Sequence, residues 1–268
     1  MLSEQRNSSL FLTRVMETLD KVEYRRADTP EEKDAIFRAR YEAYRREDSI
    51  PPNETGLFSD ELDESPNVWM IGVYIDGVMA STIRLHVASG PQHALPITEA
   101  FPDKILPLLQ SGAVVIDVSR QTSRLEFVRA YPFLTLLTMR TTFIAEDYFD
   151  ADYITVACKP EYQAAFRRLS GCVNWAPMRP YPRLAKPTLL MGHDCRANRH
   201  AMRERYPYLD TTPAMQRSLF GRSSTIDRDL HFELTAGRRD RDAHGKQSST
   251  TCVAYASRSG VSSNAVLA

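Results

Sequence analysis

The alternation of apolar and polar positions predicts a series of short strands and amphipathic helices. The stretch 114–120 has Val or Ile at 114, 115, 116 and 118, a composition that suits a pleated, mostly buried strand better than a helix, and its end carries the polar groups of Asp117, Ser119 and Arg120. Polar residues follow directly at 121–124, and an apolar helical pattern begins at about Pro132. Strand, polar turn and helix in this order are typical of a ligand site in a mixed α/β domain. We therefore expect the end of this strand to carry the chemistry of the protein.

The elements around this strand follow from the same periodicities. Two apolar runs, 68–75 and 78–85, flank Asp76-Gly77, which is a strong type I′ turn signal and predicts a β-hairpin. The other predicted strands cover 22–27, 153–158, 173–178 and 188–191. The predicted helices cover 9–20, 30–46, 97–110, 132–149, 160–169 and 194–206, and the helix at 97–110 is expected to be interrupted by Pro102 and Pro107. A polar, Pro-containing loop at 48–66 is long enough to be functional or mobile.

Composition changes at about residue 222, where the chain becomes charged and rich in Ser and Thr. Such a segment cannot bury enough apolar surface to fold, so we predict one domain at 1–221 and a disordered polar tail at 222–268. Lys plus Arg and Asp plus Glu number 34 each, which gives no overall charge that would favour nucleic acid. No signal-peptide pattern and no apolar run near the about 20 residues of a membrane span is visible, which predicts a cytoplasmic protein. The helix at 9–20 is expected to pack on the domain, with a membrane-surface helix or a lid as alternatives.

Cysteine and histidine spacing predicts neither a disulfide framework nor a metal site. The four cysteines have no CxxC spacing and are expected to be buried free thiols: Cys158, Cys172, Cys195 and Cys252. His193, Cys195 and His200 lie close together in sequence, but their spacing matches no standard site. We expect those three residues on a surface helix.

Five short pieces of the first 125 residues resemble one family in their order along the chain. They are Arg40-Tyr41-Glu42-Ala43-Tyr44, Asp60-x-x-Asp63, Gly77 to Leu85 with its Arg84-Leu85 ending, Leu95 with Phe101-Pro102, and Asp117-Val118-Ser119-Arg120. As an ordered set they resemble the bacterial autoinducer synthases and the related N-acyl amino acid synthases of the GNAT acyltransferase fold. The resemblance implies a bacterial protein with an α/β (α+β) GNAT-like fold, in which helices flank a mixed central sheet.

The resemblance also implies a reaction, in which an amine attacks an acyl thioester. The donor would be acyl carrier protein or coenzyme A carrying a fatty acyl group, the acceptor would be an amino acid, and no cofactor would be bound permanently. Autoinducer synthases usually carry a Trp where this chain has Ile50 and a Glu where it has Phe58. These departures favour an N-acyl amino acid synthase. An acyl-homoserine lactone synthase and a non-catalytic module that binds acyl lipids or a carrier protein are the alternatives.

The turn after the predicted central strand bears on the choice of donor. Residues 121–131 contain no glycine, so a nest of backbone N–H groups for the diphosphate of coenzyme A is not expected there. A donor held through its pantetheine arm, as on acyl carrier protein, fits better. Arg124, Arg129 and Arg140 are candidates to meet this acidic protein, and a solvated basic face is the alternative.

The resemblance gives roles to residues at and around the strand end. Asp117 is the candidate for binding the ammonium or acting as its base, Ser119 for orienting a substrate group, and Arg120 for binding the acceptor's carboxylate. Val118, through the strand backbone, and Arg124 are expected to contact the donor. The predicted substrate-binding set is Arg40, Tyr44, Asp60, Asp63, Arg84 and Phe101. The sequence leaves two alternatives open. In the first, the charged residues only hold the 48–66 loop against the sheet. In the second, Tyr44 and Phe101 are only part of the hydrophobic core.

Regular strand geometry sets a condition on this arrangement. In a regular strand Asp117 and Ser119 point to one face of the sheet and Arg120 to the other. A β-bulge would therefore be needed to bring Arg120 to the side of Asp117, and such bulges are common next to active sites.

Overall fold

The computed structural model describes residues 2–221, so the tail predicted for 222–268 lies outside the described part. The helices are α1 (Leu2–Leu19), α2 (Pro30–Arg46), α3 (Pro96–Ala100), α4 (Pro102–Gln110), α5 (Leu125–Ala130), α6 (Leu134–Phe149), α7 (Gln163–Ser170), α8 (Cys195–Arg205) and α9 (Pro213–Phe220). The strands are β1 (Val22–Arg26), β2 (Val68–Ile75), β3 (Val78–Ala88), β4 (Val115–Ser123), β5 (Tyr153–Cys158), β6 (Val173–Arg179) and β7 (Thr188–Asp194). Short 3-10 turns occur at Glu61–Glu64, Pro160–Tyr162 and Pro207–Leu209.

The strands form one mixed sheet in the order β1-β2-β3-β4-β5-β7-β6. β4 and β5 are parallel, and the other neighbours in this order pair antiparallel. α2, α3 and α4 pack on one face, where Ile36, Phe37 and Phe101 enter the core. α6, α8 and α9 cover the opposite face. The predicted mixed sheet flanked by helices is confirmed.

β4 and β5 separate at the point where the polar part of β4 begins. Their pairing runs from Val115 with Tyr153 to Val118 with Val156 and stops there. Beyond it, β4 stays with β3 as far as Ser123, whereas β5 stays with β7 as far as Cys158. The sheet therefore opens between its two central strands.

A β-bulge in β4 marks this opening. Arg84 of β3 pairs with Ser119, and Thr82 pairs with Thr122, so one β3 residue faces two residues of β4, Arg120 and Gln121. Arg120 has φ 52°, the left-handed conformation that non-glycine residues seldom adopt. The conditional expectation of a bulge at this strand end is thus met.

Helix starts follow the chemistry of their first residues. Thr29 accepts a hydrogen bond from the Glu32 N–H, and Glu32 accepts one from the Thr29 N–H, which makes the capping box of α2. Pro102 separates α3 from α4, because a proline fits the first turn of a helix and breaks a continuous one. The interruption predicted at Pro102 is therefore confirmed, whereas the one predicted at Pro107 is wrong, because Pro107 lies inside α4.

Three outcomes differ from the prediction or add to it. α5 occupies part of the turn predicted at 121–131, and α9 was not predicted, although Thr212-Pro213 repeats the cap and first-turn signal of Thr29-Pro30. β4 extends three residues past the predicted strand end at Arg120.

Cys158, Cys172 and Cys195 are buried free thiols, as predicted, and Cys252 lies outside the described residues. Among residues 2–221, no helix is long and apolar enough to cross a membrane.

α1 has one packed face and one open face. Val15 is fully buried, and Phe11 meets Phe133 edge-on with ring centroids 6.1 Å apart. Leu10 and Met16 are about half exposed, at 59% and 50%. The expected packing of this helix on the domain is confirmed, and its contact with a membrane surface stays a prediction.

Candidate active site

A cavity of about 470 Å³ lies where β4 and β5 separate. This volume falls in the range of about 300–1,000 Å³ that is usual for small-molecule sites. Its walls come from the end of α2, the polar part of β4, α5, the first turns of α6, the end of β5, α7 and the segment 184–188. Apolar side chains from α5, α6 and α7 line it, including Val128, Met139, Phe166 and Leu169.

The predicted site residues divide into those that line this cavity and those behind it. Tyr44, Val118, Ser119 and Arg120 are in the wall. The charged residues Arg40, Asp60, Asp63 and Arg84 lie behind the wall, in contact with it through Arg120 and Ser119.

Two aspartates and three arginines form a buried network behind the cavity wall. Asp63 Oδ1 accepts from Arg40 at 2.7 Å and from Arg84 at 3.0 Å. Asp60 accepts from Arg84 and from Arg120, each at 2.7 Å, so it bridges β3 and β4. Because Asp60 and Asp63 come from the 3-10 turn of the long loop, the network ties that loop to the sheet.

The electrostatics of the network favour its charged state. Burial by itself would raise the pKa of Asp60, but Arg84 and Arg120 hold that pKa well below its usual range. The same balance, with Arg40 and Arg84 as the cations, lowers the pKa of Asp63. Burial lowers the pKa of Arg40 to about 10, so this guanidinium is still a cation at neutral pH.

Arg120 occupies a defined position because the bulge directs it to the face where Ser119 and Arg84 lie. Its Cζ stands 4.5 Å from the centre of the Phe58 ring and 5.6 Å from that of Tyr44, and these two rings pack on each other at 5.0 Å. Ser119 is fixed as well, since its Oγ accepts from Arg84 Nε at 3.0 Å. Phe58, which stands where autoinducer synthases usually have a Glu, therefore packs against Arg120 and holds it in the cavity wall.

Asp117 is fully buried on the face of β4 that α3 covers. Its Oδ2 accepts the Ile97 N–H at 2.9 Å, while Oδ1 has no hydrogen-bond partner among the described residues. Burial raises the pKa of this carboxyl to about 7, although the Ile97 N–H and Arg84 act in the opposite direction. A carboxylate that titrates near pH 7 has the basicity suited to a general base at physiological pH.

Asp117 is not among the residues that line the cavity, and two further predicted contacts also lie away from its wall. Phe101 is fully buried under α3 and α4, with Arg179 Cζ 5.1 Å from its ring centre. Arg124 starts α5, its N–H donates to Ala80 O, and its side chain pairs with Glu126 at the surface. Neither residue is among those that line the cavity.

The basic face proposed beyond the strand end is only partly present. Arg124 and Arg129 are exposed, but Arg140 is buried and donates to the carbonyls of Tyr208 and Asp210. The expectation that Arg140 meets a carrier protein or solvent is therefore wrong, because its helix, α6, packs inside the domain.

Sequence reasoning missed several residues of the site. Tyr181, in the connection between β6 and β7, lies near the strand end: burial raises the pKa of its hydroxyl, and Asp117 adds to the shift. Arg46, Lys159 and Lys186 line the outer part of the cavity. These residues come from three separate parts of the chain, and no local pattern joins them to the strand end.

The expectation for His193 and Cys195 is also corrected. His193 is on β7 and Cys195 opens α8, and both are buried, at 1% and 0% exposure. They share the strand face that packs on α6, where they meet Glu146. Only His200 of this group lies on an exposed helix face.

The fold and the parted central strands define an acyltransferase of the GNAT fold. Residues 35–194 match the family model described as N-acyl amino acid synthase FeeM. The chain belongs to this family.

The chain is similar to several solved structures, of which FeeM supports this fold. FeeM, an N-acyl amino acid synthase from uncultured soil microbes, is 17% identical and superposes with a TM-score of 0.56 over 67% of this chain and 93% of its own. The acyl-homoserine lactone synthase LasI is 15% identical, with a TM-score of 0.48 over 76% of this chain and 96% of its own. The CoA-dependent acyl-homoserine lactone synthase BjaI is 13% identical, with a TM-score of 0.47 over 66% and 81%. No curated protein sequence matches the chain.

Proposed function

We propose that this protein transfers a fatty acyl group from a carrier thioester to the amine of an amino acid and releases an N-acyl amino acid. The observation that carries the proposal is the cavity at the parting of β4 and β5, which joins an apolar interior to the polar end of β4. An acyl thioester needs both parts, because its chain is apolar and its reacting carbonyl is polar.

The edge of β4 past Val118 is the proposed seat of the thioester arm. This edge has no β5 partner within residues 2–221, and Arg46, which also lines the cavity, donates to Ser123 O at 3.2 Å. The amide groups of a pantetheine arm can pair with such an edge as an added strand does. A backbone N–H here also stabilises the oxygen of the tetrahedral intermediate.

Asp117 and Arg120 are the proposed partners of the acceptor. Asp117 Oδ1 takes a proton from the ammonium, and the amine nitrogen then bonds to the thioester carbonyl carbon. The C–S bond breaks, the amide keeps the acyl group, and the thiolate leaves and is protonated as the second amine proton departs. Arg120, fixed by Asp60 and two aromatic rings, faces the carboxylate of the acceptor.

The proposed function is tested with purified full-length protein, acyl carrier protein charged with fatty acids, a panel of amino acids and, in a parallel reaction, S-adenosylmethionine. Release of free thiol together with an N-acyl amino acid in the mass spectrum supports the proposal. Acyl-homoserine lactone made from S-adenosylmethionine would support the lactone synthase alternative. A folded protein that binds acyl donors without thiol release would support the non-catalytic alternative. The packing of Phe58 on Arg120 and the match to the family model favour the first outcome, release of an N-acyl amino acid.

Narrowing the cavity is expected to shorten the acyl chain that the enzyme accepts. Ala165 of α7 lines the cavity, so Ala165→Trp places an indole in the apolar part. Each excluded methylene costs about 1–3 kcal/mol, so kcat/KM for the longest accepted donor should fall about tenfold or more relative to short donors. Kinetics with a series of acyl lengths measures this.

Ala164→Trp is the matched control for this substitution. Ala164 is the preceding residue of α7, is exposed, and is not among the residues that line the cavity. It should leave the chain-length profile unchanged. Equal profiles for both variants would mean that the acyl chain does not lie against α7.

Among the cavity residues that reach solvent, Arg46, Lys159 and Lys186 outnumber Glu47, which pairs with Lys159, so this surface keeps the positive charge expected for an acidic carrier protein. Lys186→Glu should raise KM for acyl carrier protein about five- to tenfold, since one surface charge contact contributes up to about 1 kcal/mol and reversal replaces attraction with repulsion. The effect should shrink as salt rises. Lys104→Glu, an exposed residue of α4 outside the cavity wall, is the control. An unchanged KM for Lys186→Glu at low salt would contradict this docking face.

A further inference from the structure

Three buried side chains meet on the sheet face opposite Asp117 and lie outside the proposed reaction. Glu146 comes from α6, His193 from β7 and Cys195 from the first position of α8. One oxygen, one ring nitrogen and the thiol sulfur lie within 4.8 Å of one another, and all three residues are at most 1% exposed. His193 and Cys195 are two positions apart at the end of a strand, which directs both side chains toward α6.

The polar atoms of this cluster are unusually short of partners. Neither ring nitrogen of His193 has a well-formed hydrogen bond within residues 2–221, although the backbone groups of Ser170 and Gly171 are near enough to interact with the ring. Glu146 Oε2 also has no hydrogen bond, while Oε1 accepts from Arg199 Nε at 2.8 Å. Buried polar atoms nearly always have partners, so a group of them aimed at one point indicates an absent ligand.

Charge pairing in the surroundings leaves the Glu146 carboxylate available. Arg199 also donates to Asp150 at 3.1 Å, and Arg203 donates to Asp147 at 2.8 Å and stands 3.9 Å from Glu146 Oε2. Each arginine thus has a second carboxylate. A divalent cation bound by the Glu146 carboxylate, the Cys195 thiolate and neutral His193 would have its two charges balanced.

We propose that Glu146, His193 and Cys195 bind a divalent transition metal ion of the zinc type, which ties α6 to the junction of β7 and α8. A set with one sulfur, one nitrogen and one oxygen donor suits zinc, and water takes the fourth position. Zinc bonds of about 2.0–2.3 Å at tetrahedral angles put ligand atoms about 3.3–3.8 Å apart, so atoms that now lie within 4.8 Å of one another close by at most about 1–1.5 Å on binding. Arg199 on Oε1 acts as the outer partner that orients the ligating carboxylate.

Burial of the site dictates how it is tested. Metal enters as the chain folds, so the full-length protein is refolded with Zn²⁺ or with a chelator and then passed through a desalting column. We expect about one zinc per chain by elemental mass spectrometry and a higher melting temperature for the zinc-refolded protein. Zinc below a tenth of an equivalent in the wild type, where about one is expected, overturns the proposal.

Cys195→Ser and His193→Gln identify the ligands. Each should weaken zinc binding about tenfold or more, since even loss of an outer partner costs about 10–100-fold. Cys158→Ser, another buried thiol, and Cys252→Ser are the controls and should keep the metal. Retention of zinc by both ligand variants at wild-type affinity overturns the assignment.

Cobalt keeps the test decisive if a ligand variant fails to fold. Wild-type protein refolded with Co²⁺ should show the absorption band of a thiolate bound to cobalt, and Cys158→Ser should show the same band. A cobalt-loaded protein without a thiolate band would place the metal away from Cys195 and overturn the proposal.

Discussion

Asp117→Asn is expected to lower kcat/KM by about 10²–10⁴-fold, the usual contribution of a positioned general base. The asparagine Oδ1 can still accept the Ile97 N–H that Asp117 now accepts, so the strand end keeps its position. What the variant loses is the basic oxygen, Oδ1, that has no partner among the described residues. Steady-state release of thiol, measured at saturating donor and varied acceptor, gives the ratio.

The pH profile separates this role from a structural one. The base must be deprotonated to act, and burial raises its pKa to about 7, so wild-type kcat/KM should rise with pH through about 7 and then level off. The acceptor amine titrates equally for both enzymes, so the comparison with Asp117→Asn removes its contribution. In the variant the limb near pH 7 should be absent.

Asp152→Asn is the matched control for Asp117→Asn. Asp152 is a second buried aspartate beside β4, and its Oδ2 accepts the Val114 N–H at 2.8 Å, at the opposite end of the strand. Its loss should affect stability and leave the pH profile of the remaining activity unchanged. Full activity and an unchanged profile for Asp117→Asn would contradict the proposed base.

Asp117→Asn should lower activity but raise the free energy of unfolding near neutral pH. The folded pKa of Asp117 is about 7 and an unfolded aspartate titrates at about 3.9, so the native state binds the extra proton between these values. Wild-type stability from this group is therefore present below about pH 4 and is lost as pH rises to about 7. Asp117→Asn does not titrate there, so it should gain stability relative to the wild type between pH 5 and about 8 in urea unfolding.

The fold was predictable because its local signals agree with its packing. The alternation in 68–85, the Asp76-Gly77 turn and the Thr29-Pro30 helix start each specify one local structure, and each is found. α5 is the counterexample, since Leu125 and Val128 are partly exposed and line the cavity, so no buried stripe marks the helix. Periodicity reports burial against a core, and a helix that faces a cavity lacks that pattern.

Of the site, only the residues on the strands and in the loop next to them were predictable. The ordered pieces of sequence led to Ser119, Arg120 and the acidic loop, which do meet. Asp117 is buried with no partner for its Oδ1 among the described residues, and Tyr181 lies near Asp117. Both features depend on packing between distant parts of the chain, which the spacing of residues in the sequence does not encode. Glu146 lies 47 positions before His193 in the sequence, and so the cluster at Cys195 could not be read from spacing either.

Asp63→Asn is expected to cost about 3–5 kcal/mol of unfolding free energy, the usual effect of breaking a buried ion pair. Asp63 is the carboxylate bonded to Arg40, a fully buried residue whose Nε and Nη2 already have no partner among residues 2–221. At about 2–4 °C per kcal/mol for a domain of this size, the melting temperature should fall by about 6–20 °C. Because Arg40 and Arg84 lower the pKa of Asp63, the deficit should be full near pH 7 and shrink as pH falls below about 4.

Glu64→Gln is the control, since Glu64 belongs to the same 3-10 turn and pairs with Lys33 at the surface, where an ion pair contributes about 0–1 kcal/mol.

The double variant Arg40→Met, Asp63→Leu then decides between pinning of the loop and contact with the substrate. A buried pair replaced by apolar residues of similar volume often keeps stability, and Arg84 retains Asp60 as its partner. If the pair only pins the loop, activity should return together with stability. Restored stability without activity would mean that Arg40 or Asp63 acts on the substrate itself, and an Asp63→Asn variant as stable as Glu64→Gln would contradict the role of this network in the fold.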